Sequence, residues 1–374
     1  MRGKALVSCK KPIIFFTESS KNIGGQELQL LQQMKELKKR NIHPILICNQ
    51  EGRIYQTAKE RMFMVIPIGF RNSLDLCSIT KMVYALRRHK PIAVISHSGH
   101  DAVVSALAIK LSNFFFGTTL KLVRMKTYQS KTPSIFSINK MCDVMCTPSN
   151  FLRNEIINGR DFLGSKIHVL YPGVAFSELD ASADINLPHH LVEWLSVRPG
   201  PIILQGAMLR PEKGHELIIA ALPAVLAIHK NVRYVIAGEG EEKLRLETLV
   251  GRLNLGDHVY FAGMVSPISA LLKRSTLAVL PSLREPLGMF QIESQYLCIP
   301  TLAHKIDGIV ETMLDRKTGL LIDISLKDVW AENMIWALDN LDQMQEWALH
   351  GRKFVSERFS LNKNIEALLK VIDA

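Results

Sequence analysis

The chain alternates short apolar runs with longer amphipathic stretches, and it does so in two successive series. Short apolar runs bounded by turn residues are typical of strands that are buried on both faces of a parallel sheet. The stretches between them have helical character, so each pair of runs predicts a βαβ unit. At 374 residues the chain is also too long for one ordinary hydrophobic core. The pattern therefore predicts an α/β protein with two domains.

The predicted strands fall into two groups. The first group comprises residues 12–16, 43–48, 63–67, 92–96, 119–124, 143–146 and 167–170. The second group comprises residues 201–205, 233–237, 258–261, 276–280, 299–302 and 319–322. We expect two facing Rossmann-like domains with a cleft between them, an N-terminal domain over 1–178 and a C-terminal domain over 179–350. A helical tail follows, in which residues 351–374 are expected to pack back on the N-terminal domain.

Basic residues are concentrated in the first half of the chain. The formal charge is +11; residues 1–180 contain 26 Lys and Arg against 12 Asp and Glu, whereas the remainder contains 20 against 23. Such an excess favours an anionic partner, namely a phospholipid surface, a phosphorylated acceptor or nucleic acid, or it serves solubility alone. The basic residues are not interleaved with aromatic ones as in a base-stacking platform, so we expect no nucleic acid partner.

Neither a leader nor a membrane span is predicted. The apolar run 12–16 is too short for a signal peptide and lacks a cleavage site, and residues 102–123 are interrupted by Lys110, Asn113 and Lys121. Six scattered cysteines suit buried thiols in a reducing compartment. No second Cys or His pair completes a zinc site beside Cys142 and Cys146, so no metal site is expected. These features predict a cytoplasmic protein.

Two glutamates mark the carboxyl end of the predicted strand 276–280. The sequence over 281–293 is Pro-Ser-Leu-Arg-Glu-Pro-Leu-Gly-Met-Phe-Gln-Ile-Glu, in which Gly288 is predicted to open a helix. Glu285 and Glu293 therefore flank a helix N-terminus at a strand end, where open α/β sheets bind ligands and free amides attract anions. Carboxylates here can bind ligand hydroxyls, and the amides can bind phosphate. Acid-base hydrolysis is an alternative at this stage.

Two further loops follow predicted strands. Residues 206–214 read Gly-Ala-Met-Leu-Arg-Pro-Glu-Lys-Gly, and Arg210 with Lys213 suits a diphosphate, although a solvated basic loop would have the same composition. The Gly-Glu-Gly at 238–240 lacks the third glycine of a dinucleotide-binding fingerprint, which argues against a nicotinamide cofactor.

These segments, in this order, resemble the family 4 glycosyltransferases of GT-B fold. The matching motifs are Gly-Gly at 24–25, Arg-Pro-Glu-Lys-Gly at 210–214, Ala-Gly-Glu-Gly at 237–240, Phe-Ala-Gly at 261–263, and Pro-Ser followed by Glu285, Gly288 and Glu293. The resemblance covers nearly the whole chain and is strongest from about 200 to 325. It implies retaining transfer of a sugar from a nucleoside diphosphate sugar, held by the second domain, to an acceptor on the first. Neither a metal nor another cofactor is implied.

The resemblance also implies roles for individual residues on the leaving-group side. Arg210 and Lys213 would neutralise the diphosphate as it leaves, which is electrostatic stabilisation of developing charge. The backbone amides of Gly288, Met289 and Phe290 would assist them.

Further residues would bind the rest of the donor. By the same resemblance, Glu285 would contact the donor sugar and would be catalytic together with Lys213 and Arg210, and Glu293 would hold the ribose hydroxyls. Gly24 and Gly25 would let the backbone of the first domain approach the diphosphate and the acceptor. Met264 would pack near the base.

The chain departs from the family pattern in two places. Ala-Met-Leu at 207–209 stands where Gly-Arg-Leu is common, and Arg210 is expected to supply the charge from a neighbouring position. A histidine common in the first domain is missing near 120–127, which leaves His97, Arg124 and Lys126 as its possible replacements on the acceptor side. The segment 124–135 resembles the acceptor-side loop of lipopolysaccharide core transferases.

We therefore expect a cytoplasmic glycosyltransferase that contacts the cytoplasmic face of the inner membrane and extends a lipopolysaccharide-core or other lipid-linked glycan. Basic residues expected to attract lipid or core phosphates are Lys35, Lys38, Lys39, Arg40, Arg87, Arg88 and Lys90. The alternatives are a sugar-nucleotide epimerase of the same fold and a non-catalytic protein that binds anions.

Overall fold

The computed structural model describes residues 11–127, 135–158, 164–197 and 199–373. It divides into two compact units, of which the first is Met1–Gly173 together with Leu361–Ala374 and the second is Val174–Ser360. The sequence predicts the corresponding boundaries after residues 178 and 350. In the structure the second unit begins at Val174, five residues earlier than predicted, and ends at Ser360, ten residues later.

The first unit is built on a seven-stranded sheet in which every described strand pair is parallel, with the order β3-β2-β1-β4-β5-β6-β7. Its central strands are buried on both faces: Phe15, Ile45 and Val94 have no exposed surface. Burial on both faces explains why these runs are apolar without alternation. The strands are β1 (Ile13–Glu18), β2 (His43–Cys48), β3 (Met64–Pro67), β4 (Ala93–Ser96), β5 (Lys121–Met125), β6 (Val144–Thr147) and β7 (Ile167–Val169).

The second unit contains a six-stranded parallel sheet with the order β10-β9-β8-β11-β12-β13. Trp330, which is fully buried, joins Tyr234 and Leu222 in its core. The strands are β8 (Ile202–Gly206), β9 (Arg233–Ala237), β10 (Val259–Gly263), β11 (Leu277–Leu280), β12 (Thr301–His304) and β13 (Leu320–Ile322). The predicted strands of both groups are confirmed, and their ends differ from the observed ends by at most two residues.

Helices connect the strands of both sheets, as expected for βαβ units. Those before residue 174 are α1 (Gly25–Lys39), α2 (Arg53–Glu60), α3 (Leu76–His89), α4 (Gly99–Phe116), α5 (Ile135–Met141) and α6 (Asn150–Ile157). Those of the second unit are α7 (Phe176–Ser182), α8 (His189–Val197), α9 (His215–Ile228), α10 (Lys243–Arg252), α11 (Ser269–Leu272), α12 (Met289–Tyr296), α13 (Lys327–Asp339) and α14 (Leu341–Arg358). Single 3-10 turns occur at Gly164–Lys166, Pro211–Lys213 and Asp307–Glu311.

The last helix, α15 (Leu361–Asp373), belongs to the first unit and packs on α1. Gln33 Nε2 donates a hydrogen bond to Asn364 Oδ1 at 2.8 Å, and Asn364 Nδ2 donates to the backbone oxygen of Tyr171 at 2.6 Å. These polar contacts, the first of them buried, fix the position of α15 on its unit.

Both sheets reverse their strand order beside their first strand. The chain steps outward from β1 to β3 and then returns to place β4 on the other side of β1, and β8 to β11 follow the same course. Ligands of open α/β sheets bind at the carboxyl ends of the strands at such a reversal. The loops after β1 and β4, and those after β8 and β11, are therefore the places to look for a site.

None of the helices in the described ranges is long and apolar enough to cross a membrane. Three of the described cysteines, Cys48, Cys142 and Cys146, are buried, whereas Cys77 is exposed. Burial raises the pKa of the Cys142 thiol to about 11, so this group stays protonated at neutral pH.

Candidate active site

The centre of the candidate site is an ion pair between the loops that follow β8 and β11. Lys213 Nζ lies 2.7 Å from Glu285 Oε2, and only 16% and 13% of the two side chains are exposed. Both residues were predicted from the sequence as catalytic, and the structure brings them into contact. A lysine and a carboxylate at this spacing form a charge-assisted hydrogen bond in a partly dehydrated position.

The backbone around Gly214 places Lys213 there. Gly214 has φ +69°, and a Cβ at this residue would lie 2.1 Å from the backbone oxygen of Pro281, so the loop approaches the end of β11 more closely than another residue would allow. The amide of Leu283 donates to the backbone oxygen of Glu212 at 2.8 Å, which ties the two loops together. Gln205 Nε2 donates to the backbone oxygen of Lys213 at 2.8 Å.

Glu285 is held by groups that the sequence did not predict as site residues. Its amide donates to Asp307 Oδ2 at 3.0 Å, its backbone oxygen accepts from the Gly308 amide at 3.1 Å, and Ser282 Oγ donates to Glu285 Oε2 at 3.3 Å. Asp307 and Gly308 follow β12, the neighbour of β11. Three adjacent strand ends therefore fix the Glu285 backbone and carboxylate.

Arg210 lies apart from this ion pair. Its side chain is 45% exposed, and Nη1 is 4.0 Å from Glu212 Oε1. Among the described residues, the Arg210 side chain is therefore paired with Glu212 and not with Lys213 or Glu285.

The N-terminus of α12 forms the next part of the site. Gly288 precedes the helix with φ +96°, a left-handed conformation that favours glycine. Phe290 is buried in the core of the unit, which anchors the first turn of α12, whereas Met289 is only partly buried. The first amides of a helix have no acceptor within it, so those of Met289 and Phe290 are available for an anion.

Glu293 lies one turn further along α12 and is partly buried. Burial raises the pKa of its carboxyl to about 7. Within the part of the chain that the structure describes, no hydrogen bond or ion pair to this carboxyl is recorded. A carboxyl without a protein partner beside a helix N-terminus is suited to accept hydrogen bonds from a ligand.

Met264 follows β10, at the edge of the sheet in the second unit, and 66% of its side chain is exposed. Its predicted contact with a base stays a prediction.

In the first unit, the predicted glycines begin α1 after β1. Gly24 is the N-cap, and its amide donates to Glu27 Oε2 at 2.7 Å. Among the described residues, no atom beyond the neighbouring residues and the backbone of α1 lies within 4 Å of the position that a Cβ of Gly25 would occupy.

His97 lies at the end of β4 and is buried. Its Nδ1 is 3.3 Å from the backbone oxygen of Thr17, and its ring stacks on Phe16 with centroids 6.0 Å apart. Burial lowers the pKa of His97 to about 4, so the ring is neutral at physiological pH. This neutral ring packs against β1, at the strand end where the sequence predicted it.

Arg124 and Lys126, the other two predicted acceptor-side residues, lie at the end of β5. Burial lowers the pKa of both side chains, and the charge of Arg124 lowers that of Lys126 further. The rest of the acceptor-side segment predicted at 124–135 lies largely outside the described residues, because the structure describes 11–127 and resumes at 135.

Two buried carboxyls at the reversal point of the first sheet were missed by the sequence analysis. Glu18 ends β1; its carboxylate accepts from the amide of Ser20 at 2.7 Å and from Gln26 Nε2 at 2.8 Å. Asp101 accepts from Thr17 Oγ1 at 2.7 Å and from the amides of His97 and Ser98, each at 3.1 Å. Burial and the Glu18 carboxylate raise the pKa of Asp101. The two carboxyls join the loops after β1 and β4.

Asp101→Asn is expected to lower the free energy of unfolding by about 1 to 3 kcal/mol, because an amide group would face donors that now reach a carboxylate oxygen. Urea denaturation of both proteins measures this difference. Glu60→Gln, which changes an exposed carboxylate at the end of α2, is the control and should unfold as the wild type does. An Asp101→Asn midpoint equal to that of the wild type would show that the contacts around Asp101 contribute nothing.

No group of three or more His, Cys, Asp or Glu side chains in the described ranges is arranged to hold a metal ion.

Two family models match the chain on either side of the predicted domain boundary. Glycosyltransferase Family 4 matches residues 23–178, and Glycosyl transferases group 1 matches residues 193–354. Together they take in most of the sequence. The chain belongs to the family 4 glycosyltransferases. The family predicted from the ordered motifs is thus confirmed.

Several glycosyltransferases are similar to this chain in sequence. An uncharacterized glycosyltransferase of Methanocaldococcus jannaschii is 26% identical over 233 residues, which are 60% of this chain and 58% of that protein. The capsular polysaccharide biosynthesis glycosyltransferase CapM of Staphylococcus aureus is 24% identical over 344 residues, 88% of this chain and 89% of CapM. The matched regions of four curated relatives, the Methanocaldococcus protein among them, span 42 to 59% of their lengths.

The fold is shared with a solved structure. The crystal structure of Anabaena Alr3699/HepE in complex with UDP and glucose matches with a TM-score of 0.79 and 18% identity, over 96% of this chain and 99% of that chain. Two Rossmann-like parallel sheets and C-terminal helices confirm the predicted GT-B fold of this glycosyltransferase.

Proposed function

We propose that this glycosyltransferase moves a sugar, with retention of configuration and without a metal ion, from a nucleoside diphosphate sugar to a lipid-linked or lipopolysaccharide-core glycan. The observation that carries this proposal is the Lys213–Glu285 pair at the strand-order reversal of the second sheet, next to the N-terminus of α12. Retention follows from the family resemblance of the motifs.

The chemical requirement of such a transfer is positive charge at the departing diphosphate. Lys213 is fixed and partly dehydrated, so its charge acts on a nearby phosphate more strongly than it would in water. The amides at the start of α12 add their partial charges. Arg210, whose exposed side chain lies 4.0 Å from Glu212 Oε1, can rotate toward a bound diphosphate. These groups supply the charge that a divalent cation would otherwise supply.

Glu285 and Glu293 are assigned to the two ends of the donor. Glu285, whose backbone is tied to the loop after β12, would accept hydrogen bonds from the donor sugar. Glu293, whose carboxyl has no recorded partner in the described chain, would accept those of the ribose. The UDP named with HepE supports a uridine nucleotide as the first one to test.

The acceptor side is assigned to the first unit. His97 and the loop that begins α1 lie at its strand-order reversal, while Arg124 and Lys126 add positive charge at the end of β5. The basic excess of residues 1–180 and the capsular polysaccharide role in the description of CapM support an anionic or lipid-linked cell-surface glycan. We place this activity at the cytoplasmic face of the inner membrane.

Isothermal titration calorimetry with UDP and with GDP tests the donor assignment. We expect the wild type to bind UDP in the presence of EDTA, and Lys213→Ala to bind it at least about tenfold more weakly, because one charge-assisted contact to phosphate is lost. Binding of neither nucleotide would overturn the proposal and favour a non-catalytic anion-binding protein. Conversion of the donor sugar without an acceptor would indicate an epimerase instead.

A further inference from the structure

The C-terminus of α4 exposes three consecutive phenylalanines. Phe114, Phe115 and Phe116 are 83%, 65% and 44% exposed, and Leu111, one turn earlier, is 41% exposed. Nowhere else in the described ranges do three large apolar residues in succession have exposed side chains. Exposed apolar groups of this size mark an interaction surface more often than a solvent-facing one.

The C-terminus of α4 has a regular C-cap. Gly117 ends α4 in the left-handed conformation, and its amide donates to the backbone oxygen of Asn113 at 3.0 Å. Phe114 and Phe115 meet edge to face with centroids 5.0 Å apart. The exposure of the rings therefore belongs to a regular, capped helix end.

Basic residues border the phenylalanines. The Arg87 guanidinium lies over the Phe116 ring, 4.1 Å from its centroid, which brings the C-terminus of α3 against that of α4. Arg88 and Lys90 follow at the end of α3, and Lys110 lies one turn before Phe114; all are exposed. Between Asp75 and Asp143 the sequence has one acidic residue, Asp101, which is buried at the opposite end of α4. The stretch of chain that forms this surface is therefore strongly basic.

We propose that the Phe patch, defined as Leu111, Phe114, Phe115 and Phe116 with Arg87, Arg88, Lys90 and Lys110, inserts into the surface of an anionic lipid bilayer. The proposal rests on the proposed function, because it names the surface by which a transferase with a lipid-linked acceptor would reach its membrane. Protein surfaces that contact the membrane interface typically combine aromatic rings with Lys and Arg. The rings enter the boundary of the acyl chains, and the cations bind anionic headgroups.

The geometry favours a bilayer over a protein partner. Successive residues on a helix are about 100° apart, so three consecutive rings surround the helix end and form no flat stripe. A protein partner would need a pocket complementary in shape to these protruding rings, whereas a fluid bilayer can accommodate the rings without such complementarity. Asp101, near the opposite end of α4, lies about 20 Å from Phe114 along the helix, so the patch is distinct from the candidate site.

Sedimentation with vesicles tests the proposal. The probes are vesicles of phosphatidylcholine alone and vesicles that also contain phosphatidylglycerol. We expect the wild type to bind the second kind, and the triple variant Phe114→Ser/Phe115→Ser/Phe116→Ser to bind it at least about tenfold more weakly. Arg87→Gln/Arg88→Gln should weaken binding at low salt and reduce its dependence on salt. Leu244→Ser/Leu349→Ser, which changes two exposed leucines of the second unit, is the matched control and should bind as the wild type does.

A direct readout of insertion comes from Phe115→Trp. All four native tryptophans lie in the second unit, so their emission should not change with vesicles, while that of Trp introduced at 115 should shift to the blue. Unchanged emission, or equal vesicle binding by the triple variant, would overturn the proposal. A wild type that is dimeric and a triple variant that is monomeric, by analytical ultracentrifugation without lipid, would overturn it in favour of a second copy of the chain. UDP binding measured without vesicles keeps failure of the proposed function separate from failure of this inference.

Discussion

Lys213→Ala is expected to lower the rate of sugar transfer by about 10²- to 10³-fold, the loss seen when one preorganised group that stabilises developing charge is removed. Lys213 is the cation that the structure fixes at the candidate site, through its contact with Glu285 and through the backbone of Gly214. Glu285→Gln should also lower the rate greatly, since it removes both a ligand-binding carboxylate and the partner that orients Lys213. Initial rates with a nucleotide sugar and purified acceptor measure both effects.

A double variant separates catalysis from stability. Lys213→Ala alone leaves the Glu285 carboxylate largely buried without its partner, which is destabilising. Lys213→Ala/Glu285→Gln removes that unpaired charge, so its melting temperature should recover while its activity stays low. If activity returns together with stability, the catalytic assignment is wrong. Lys243→Ala, which removes an exposed lysine on α10, should leave the rate within about twofold of the wild type, as expected for an exposed ion pair.

The positions of the strands were predictable because their burial on both faces makes them apolar throughout. The end of β1 is an exception. This strand continues through Thr17 and Glu18, two polar residues that an apolar pattern does not predict to be part of a buried strand. They are buried because their partners come from distant segments, such as Asp101 for Thr17 and Ser98 for Glu18. Pairing of this kind depends on the folded topology, so the strand end and the buried carboxyls were not visible in the sequence.

The candidate site was also predictable in part from the sequence. Parallel strands bring their carboxyl ends to one edge, so loops after β8 and β11 were expected to lie together. The contact between Lys213 and Glu285, which are 72 positions apart, needed the structure, as did the role of Asp307 in holding the Glu285 amide. Arg210 shows the reverse case, since its motif predicts a phosphate contact but its side chain is exposed beside Glu212.

Glu293→Gln is expected to weaken UDP binding by about ten- to a hundredfold at neutral or higher pH, since hydrogen bonds to a charged acceptor are worth more than those to a neutral amide. The same substitution should leave the fold intact. Since burial raises the pKa of Glu293 in the folded protein, the free energy of unfolding falls as the pH rises from the ordinary glutamate pKa to this raised pKa, and it stays lower above it. Glu293→Gln should therefore be at least as stable as the wild type at about pH 8, with the difference shrinking toward about pH 5. A purely structural glutamate would show the opposite effect.

The pH dependence of binding follows from the same group. With a pKa of about 7, Glu293 is largely protonated in the free protein below neutral pH. In the proposed complex the ribose hydroxyls donate to the ionised form, so bound UDP should lower this pKa and favour release of the proton. UDP affinity of the wild type, relative to that of Glu293→Gln, should therefore rise as the pH increases toward about 7 and level off above it. The ratio cancels the ionisation of the nucleotide itself.

Calorimetry in two buffers with different ionisation enthalpies measures the released proton directly. Near pH 6 the wild type should release a fraction of a proton on binding UDP that Glu293→Gln does not release, and the excess should vanish at about pH 8.5, where Glu293 is already ionised. Equal proton release by the two proteins at the lower pH would mean that the nucleotide does not contact this carboxyl. In that case the ribose must be bound elsewhere, even if Lys213→Ala still abolishes transfer.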